Sequence, residues 1–198
     1  MPVYEIDGIT PVIDKRAFVH DSAVIIGDVI IEEGVYIGPL ASIRGDFGRI
    51  IIKKNANIQD NCVLHTFPNL DLVVHEYGHI GHSAILHGCT VGENAMVGMG
   101  STVMDKAVIG KNAIIGANSL VAQKINIPAN HLAFGSPVKV QRELKEEEIE
   151  WKTRGTECYI KLVQRSLQSL KETSALTDLS QERNLLRCRL NFNLKTEI

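Results

Sequence analysis

Aliphatic side chains recur along this chain at a fixed step of six residues. They fall at Val19, Ile25, Ile31, Ile37 and Ile43, then at Ile52, Ile58 and Leu64, and again at Val91, Val97, Val103, Ile109, Ile115, Val121 and Ile127. Four places after most of them stands a small or apolar residue: Ala23, Val29, Val35, Ala41, Ala56, Cys62, Ala95, Ser101, Ala107, Ala113 and Ser119. This is neither the 3.6-residue period of a helix nor the two-residue alternation of a simple strand. It is the hexapeptide period of a parallel β-helix, in which each hexad makes one short flat strand and one turn. The aliphatic residue fills the interior and the small one fits near a corner. Glycine and asparagine, frequent between the hexads, tolerate the positive φ that tight corners require.

The interruptions of the period carry information of their own, because loops and slips on a solenoid gather on functional faces. Ile43 to Ile52 is nine residues, so "GDFGRI" holds an inserted half-step. Between Leu64 and Ile80, "HTFPNLDLVVHEYGH" is too long for two hexads in register and contains a loop. Ile80 to Ile85 is five, which places a slip among the histidines. Beyond Ile127 the hexads stop. Gly135-Ser136-Pro137 closes the coil, and Leu144, Ile149, Trp151, Ile160, Val163, Leu167 and Leu170 mark helical apolar faces, with Gly155 a candidate break into two helices. Glu146 to Glu148 suit a solvated first turn, where the helix dipole favours acids. The chain thus divides into an N-terminal strand or cap (1–17), a β-helix (18–138) and a C-terminal helical segment with an irregular polar tail after about 175.

Composition narrows the functional classes. An apolar content of 44%, a charged content of 22% and a net charge of −2 over 198 residues describe a soluble globular protein with no electrostatic reason to bind nucleic acid or an anionic membrane. No stretch approaches the roughly 20 apolar residues of a membrane span, and "MPVYEIDGIT" lacks the apolar region of a secretory signal. Cys62, Cys89, Cys158 and Cys188 form no C-x-x-C pair and read as thiols of a reducing, cytoplasmic compartment.

The segment "GHIGHSAILHGC" carries His79, His82 and His87. His65 follows Leu64 and His87 follows Leu86, so these two share a phase and can lie one coil apart, at about 4.8 Å. His82 belongs to a different face. One chain can therefore offer a metal His65 and His87, and a neighbouring subunit's His82 would complete a set of three. Three imidazoles with one open position is the pattern of catalytic zinc, which lowers the pKa of bound water to about 7. Histidines on an outward polar face are the other reading of the same spacing. Arg44 and Asp46, in "IRGDFGR", suit an ion pair at a subunit interface. Asn57 and Gln59 could orient a bound water or cap turns.

"RGD…NIQDNCVLH" followed by "GHIGHSAILHGC" resembles the γ-class carbonic anhydrase-like hexapeptide-repeat family, and within it the branch of phenylacetic acid degradation and carnitine-operon proteins. The similarity runs from Met1 to about Leu170. It implies a left-handed β-helix of triangular coils, assembled as a homotrimer with metal sites between subunits. It implies His65, His82 and His87 as ligands of zinc (or ferrous iron or cobalt), Arg44 and Asp46 at the interface, Asn57 and Gln59 around the bound water, and Tyr159 as an active-site tyrosine from the C-terminal helix. His75 and His79 match no ligand position and read as loop residues. The activity implied is hydrolysis of a CoA thioester of phenylacetate degradation by a metal-bound hydroxide, with the metal or Gln59 stabilising the oxyanion. The same site suits reversible hydration of CO2 to bicarbonate. A non-catalytic accessory protein and a hexapeptide acyltransferase are the further alternatives. Phe47 stands where the archetypal γ enzyme has a glutamate, and the loop after His65 lacks that enzyme's acidic run. Both features are linked to proton transfer, a task for which Glu76 or a histidine would have to substitute here.

Overall fold

The computed structural model describes residues 1–178; Cys188 and most of the polar tail lie outside them. The hexads wind into a parallel β-solenoid of about seven turns with one C-terminal helix; the hexapeptide β-helix read from the period holds, and so does the left hand implied by the resemblance. Three ladders of parallel strands form its faces. The first stacks Val24–Ile31, Ser42–Ile52, Val63–His65, Ile85–His87, Thr102–Val103 and Leu120–Val121. The second stacks the far end of Ser42–Ile52 with Leu72–Val74, Thr90–Val91, Val108–Ile109 and Asn126–Ile127. The third runs from Phe18–Val19 through Tyr36–Ile37, Asn57–Ile58, His79–Ile80, Met96–Val97 and Ile114–Ile115 to His131–Phe134. Each coil's backbone groups bond to the coils above and below, so inward side chains need only be apolar. Ile25, Ile37, Ile43, Ile58, Leu64, Ile80, Leu86, Val97 and Ile115 are buried in one continuous core.

The corners explain the turn residues. Asn94, Asn112 and Asn130 adopt positive φ of 54°, 57° and 58° at equivalent corners of successive coils. Their side chains form a ladder: Asn94 Nδ2 donates to Asn112 Oδ1 (2.9 Å), and Asn112 Nδ2 donates to Asn130 Oδ1 (2.8 Å). The half-step in "GDFGRI" appears as two long strands, Val24–Ile31 and Ser42–Ile52, running straight through a corner with a register shift after Gly27. The two backbones are so close there that a Cβ on Gly27 would stand 2.6 Å from the Gly45 carbonyl oxygen. After Thr66 a short loop, tied by Thr66 Oγ1 donating to the Leu70 carbonyl (2.7 Å), leads back to Leu72–Val74.

Two sequence-based expectations need correction. The slip is not between Ile80 and Ile85. Ile85 is 43% exposed while Leu86 is buried, so the six-residue step continues from Ile80 to Leu86. The period shortens after His87, where Gly88 takes φ +48°. Two adjacent aliphatics hid the true register. Gly155 does not break the helix either: helix α1 is continuous over Glu146–Ser169. The ~1 kcal/mol glycine penalty is overridden by docking on both sides. Lys152 Nζ donates to the Tyr77 carbonyl (2.6 Å) and to Asn94 Oδ1 (2.8 Å), and Thr156 is buried against the third face. The buried face of α1 is accordingly Lys152, Thr156 and Val163, while the expected apolar positions Leu167 and Leu170 are exposed. Glu146, Glu147 and Glu148 do occupy the first turn. Before α1, the C-terminal segment opens with a strand, Lys139–Glu143, antiparallel to His131–Phe134. At the other end, Val3–Tyr4 and Val12–Ile13 cap the first coil by pairing with Val24–Ile31.

Candidate metal centre and adjoining cleft

The register places His65 directly against His87 across one coil step. His65 Nδ1 and His87 Nε2 lie 3.2 Å apart. The far nitrogen of each ring meets a carboxylate: His65 Nε2 with Asp46 Oδ1 at 2.9 Å, and His87 Nδ1 with Asp105 Oδ1 at 2.7 Å. A carboxylate only accepts, so each ring directs its N–H there and its lone pair toward the other ring. Two lone pairs facing each other repel, unless a shared proton or a metal ion bridges them. Tetrahedral zinc with Zn–N bonds of 2.0–2.1 Å sets its ligand nitrogens roughly 3.3 Å apart, so the pair fits a divalent ion without rearrangement. The outer carboxylates are the supports that metal-bound histidines use.

Asp46 is held below the ordinary carboxylate range; burial works against this, but the His65 hydrogen bond and the Arg44 charge outweigh it. Arg44 pairs with Asp46 within the chain, so the pair expected at an interface also buttresses His65. Phe47 is 58% exposed and its ring lies 5.3 Å from that of His65.

His82 stands apart, on the turn that enters the first face, whereas His65 and His87 stand where that face ends. Its Nδ1 lies 2.8 Å from Asp60 Oδ2, so it too has a carboxylate behind it. Among the described residues of one chain no three histidine, cysteine or acidic side chains converge. Between the two corners, Val63 and Ile85 sit side by side in the ladder and are 39% and 43% exposed.

His82 opens onto a cleft of about 550 Å³ between the third face and α1. Met96, Met99 and Trp151 form its apolar wall; Gln59, His79, Lys152 and Tyr159 bring polar groups into it. Tyr159 reaches it from α1, its ring 5.3 Å from that of Tyr36 and 5.4 Å from that of His79, edge-on. Burial pushes its hydroxyl pKa well up. Asn57 and Gln59 are buried and bonded to each other, Gln59 Nε2 donating to Asn57 Oδ1 at 3.0 Å, so they do not cap turns.

His79 corrects the sequence reading most. It is no loop residue: it lies in the strand His79–Ile80, in register with Asn57, and bonds the Asn57–Gln59 pair. Burial, then the Lys152 and His82 charges, push its pKa down to about 3. Lys152, unremarked in the sequence, is buried, and burial lowers its pKa to about 7. The hexad phase was the available signal for His79, because it directly precedes the interior Ile80. Nothing in the local sequence marks Lys152 as buried. His75 matches its reading, a turn residue 3.7 Å from Glu76. Glu76 itself pairs with Lys53 (3.6 Å) at the corner between the second and third faces.

Fold and site together define a hexapeptide-repeat solenoid with carboxylate-backed histidines at two corners of one face. The model of the bacterial transferase hexapeptide family (six repeats) matches residues 88–123. The carnitine operon protein CaiE of Salmonella agona is 48% identical over 187 residues, 94% of each chain, and that of Salmonella newport is equally similar. A putative acetyltransferase of Bacillus cereus shares the fold with a TM-score of 0.83 and 40% identity, covering 84% of this chain and 96% of its own. A hexapeptide transferase family protein of Anaplasma phagocytophilum gives 0.79 and 40%, covering 82% and 96%. The chain belongs to the γ-carbonic anhydrase-like hexapeptide-repeat family that includes CaiE.

Proposed function

We propose that this protein is a metal-dependent hydrolase of CoA thioesters, working as a homotrimer whose sites lie between subunits. The observation that carries this reading is the His65–His87 pair, with lone pairs converging at 3.2 Å and both outer N–H groups held by carboxylates. His65 and His87 of one chain and His82 of its neighbour would hold the ion: zinc, with ferrous iron or cobalt also compatible with three imidazoles. The exposed Val63 and Ile85 support packing along the first face, the face whose two corners carry the ligands. An ion so held polarises a carbonyl and makes water available as a nucleophile near neutral pH. The chain's own part is to hold both imidazoles in one tautomer through Asp46 and Asp105, to keep the cleft dry, and to seat the acyl group. The apolar wall of Met96, Met99 and Trp151 beside His82 suits an apolar acyl chain better than CO2 alone. The resemblance to phenylacetate-degradation proteins directs attention to phenylacetyl-CoA and its ring-modified derivatives.

The transferase names borne by similar structures favour a second reading, in which an acyl group passes from CoA to an amine or hydroxyl acceptor. One experiment separates them. Zinc-replete protein is assayed for free thiol released from phenylacetyl-CoA, with and without candidate acceptors, alongside CO2 hydration by stopped flow. Hydrolysis requires thiol release without acceptor, lost in both His82→Ala and His87→Ala. Thiol release that depends on an acceptor and survives metal removal would sink the proposal.

A further inference from the structure

His79 meets two amides and a hydroxyl. Gln59 Nε2 lies 2.8 Å from His79 Nε2 and 3.0 Å from Asn57 Oδ1; Asn57 Nδ2 lies 3.3 Å and Thr156 Oγ1 3.2 Å from His79 Nδ1. An amide nitrogen carries two protons and accepts none. Gln59 Nε2 therefore gives one proton to Asn57 and the other to His79 Nε2, which must be bare. The single imidazole proton is then on Nδ1 and goes to Thr156. This leaves Asn57 Nδ2 facing the Nδ1–H as donor to donor at 3.3 Å; the one other arrangement, both amides turned over with Asn57 donating to Gln59 Oε1 and both imidazole nitrogens protonated, meets all four contacts. That arrangement needs an imidazolium. No carboxylate bonds His79; what faces it is the Lys152 ammonium and Tyr159 from α1 and His82 from the next turn. Burial and the positive neighbours all oppose a charge there.

With both of its N–H groups turned inward, Gln59 has only Oε1 left. No buried side-chain oxygen among the described residues lacks a partner, and Oε1 bonds no other described residue, so it reaches the cleft that Gln59 lines. We propose that His79 is a positioning residue, whose neutral Nδ1–H form turns Gln59 so that it offers the cleft a hydrogen-bond acceptor and no donor. Gln59 then receives a hydrogen bond from a protonated nucleophile or a bound water. It cannot stabilise an oxyanion, the role the sequence left open to it. The tautomer follows from the network together with the buried, carboxylate-free surroundings of His79; its consequence for catalysis rests on the hydrolytic reading above.

The test uses the full-length protein with 15N-labelled histidine. The His79 ring is assigned by its loss in His79→Gln. The expected spectrum has a pyridine-type Nε2 and a pyrrole-type Nδ1, unchanged between about pH 8 and pH 5 against an ordinary histidine pKa near 6.5. A protonated Nε2, or titration within that range, overturns the proposal whether or not the protein hydrolyses anything. In the activity arm, His79→Leu is expected to lower kcat for phenylacetyl-CoA about 10- to 100-fold with KM little changed, as misorientation of a reacting group does. His79→Gln, whose carbonyl can take the Gln59 proton, restores most of it. A folded His79→Leu with unchanged kcat overturns the positioning role.

Discussion

Two groups of histidines lie on neighbouring faces of the same solenoid and are built in opposite ways. His65, His82 and His87 each have a carboxylate behind them, at 2.9, 2.8 and 2.7 Å. His79 has only amides, a hydroxyl and a buried ammonium nearby. The carboxylate claims one ring nitrogen's proton and leaves the other nitrogen outward as a lone pair, the state a metal requires. The neutral partners hold His79 as an uncharged peg that orders its neighbours. The comparison shows that a histidine's role is set by what stands behind the ring, which residue spacing alone does not reveal.

Removing one ring from each group separates them most sharply. His87→Ala is expected to bring bound metal, measured by mass spectrometry of the purified protein, down to background together with hydrolysis, whereas His79→Gln keeps its metal. Equal metal in both variants would break the distinction.

The next largest effect is on pH-dependent stability. With a folded pKa of about 3 against 6.5, His79 leaves the unfolded chain binding more protons between those values. Its contribution is fully present above pH 6.5 and is lost as pH falls toward 3, a difference of about 5 kcal/mol. Lys152 acts at the other end. Its pKa of about 7 against 10.5 means that stability rises as pH climbs from about 7 to 10.5, by a similar amount. Urea unfolding across pH should show the acid slope flattened in His79→Gln and the alkaline slope flattened in Lys152→Met; slopes identical to the parent's would refute the burial argument.

Smaller effects come from the supports. Asp105→Asn is expected to weaken metal binding about 10- to 100-fold, the usual result of losing an outer partner, as measured by competition with a chelator. Phe47→Ala removes an exposed ring that only leans on His65 and should change metal affinity less than about fivefold. A larger loss would mean that Phe47 belongs to the site.

Much of this architecture is legible in the linear pattern. A solenoid interior has one inward position per hexad, so Ile25, Ile43 and Leu64 declare both the fold and the stacking, and the pairing of His65 with His87 follows from the same count. The count fails where two aliphatics are adjacent, as at Ile85 and Leu86, because the sequence does not say which one turns inward. It fails again for α1, where Gly155 looks like a break but is bridged by Lys152 and Thr156.

The sequence by itself determined the period, the coil register outside Ile80–Leu86 and the short-range corner chemistry, because these depend on contacts repeated at a fixed step. The tertiary structure alone decided the docking of α1, the burial of Lys152 beside Asn94, and the conversion of His79 from an apparent bystander into the center of an amide network. Those outcomes depend on residues dozens of positions apart, Tyr77 with Lys152 and His79 with Thr156. Their spacing follows no repeat, so only the closed fold brings them together.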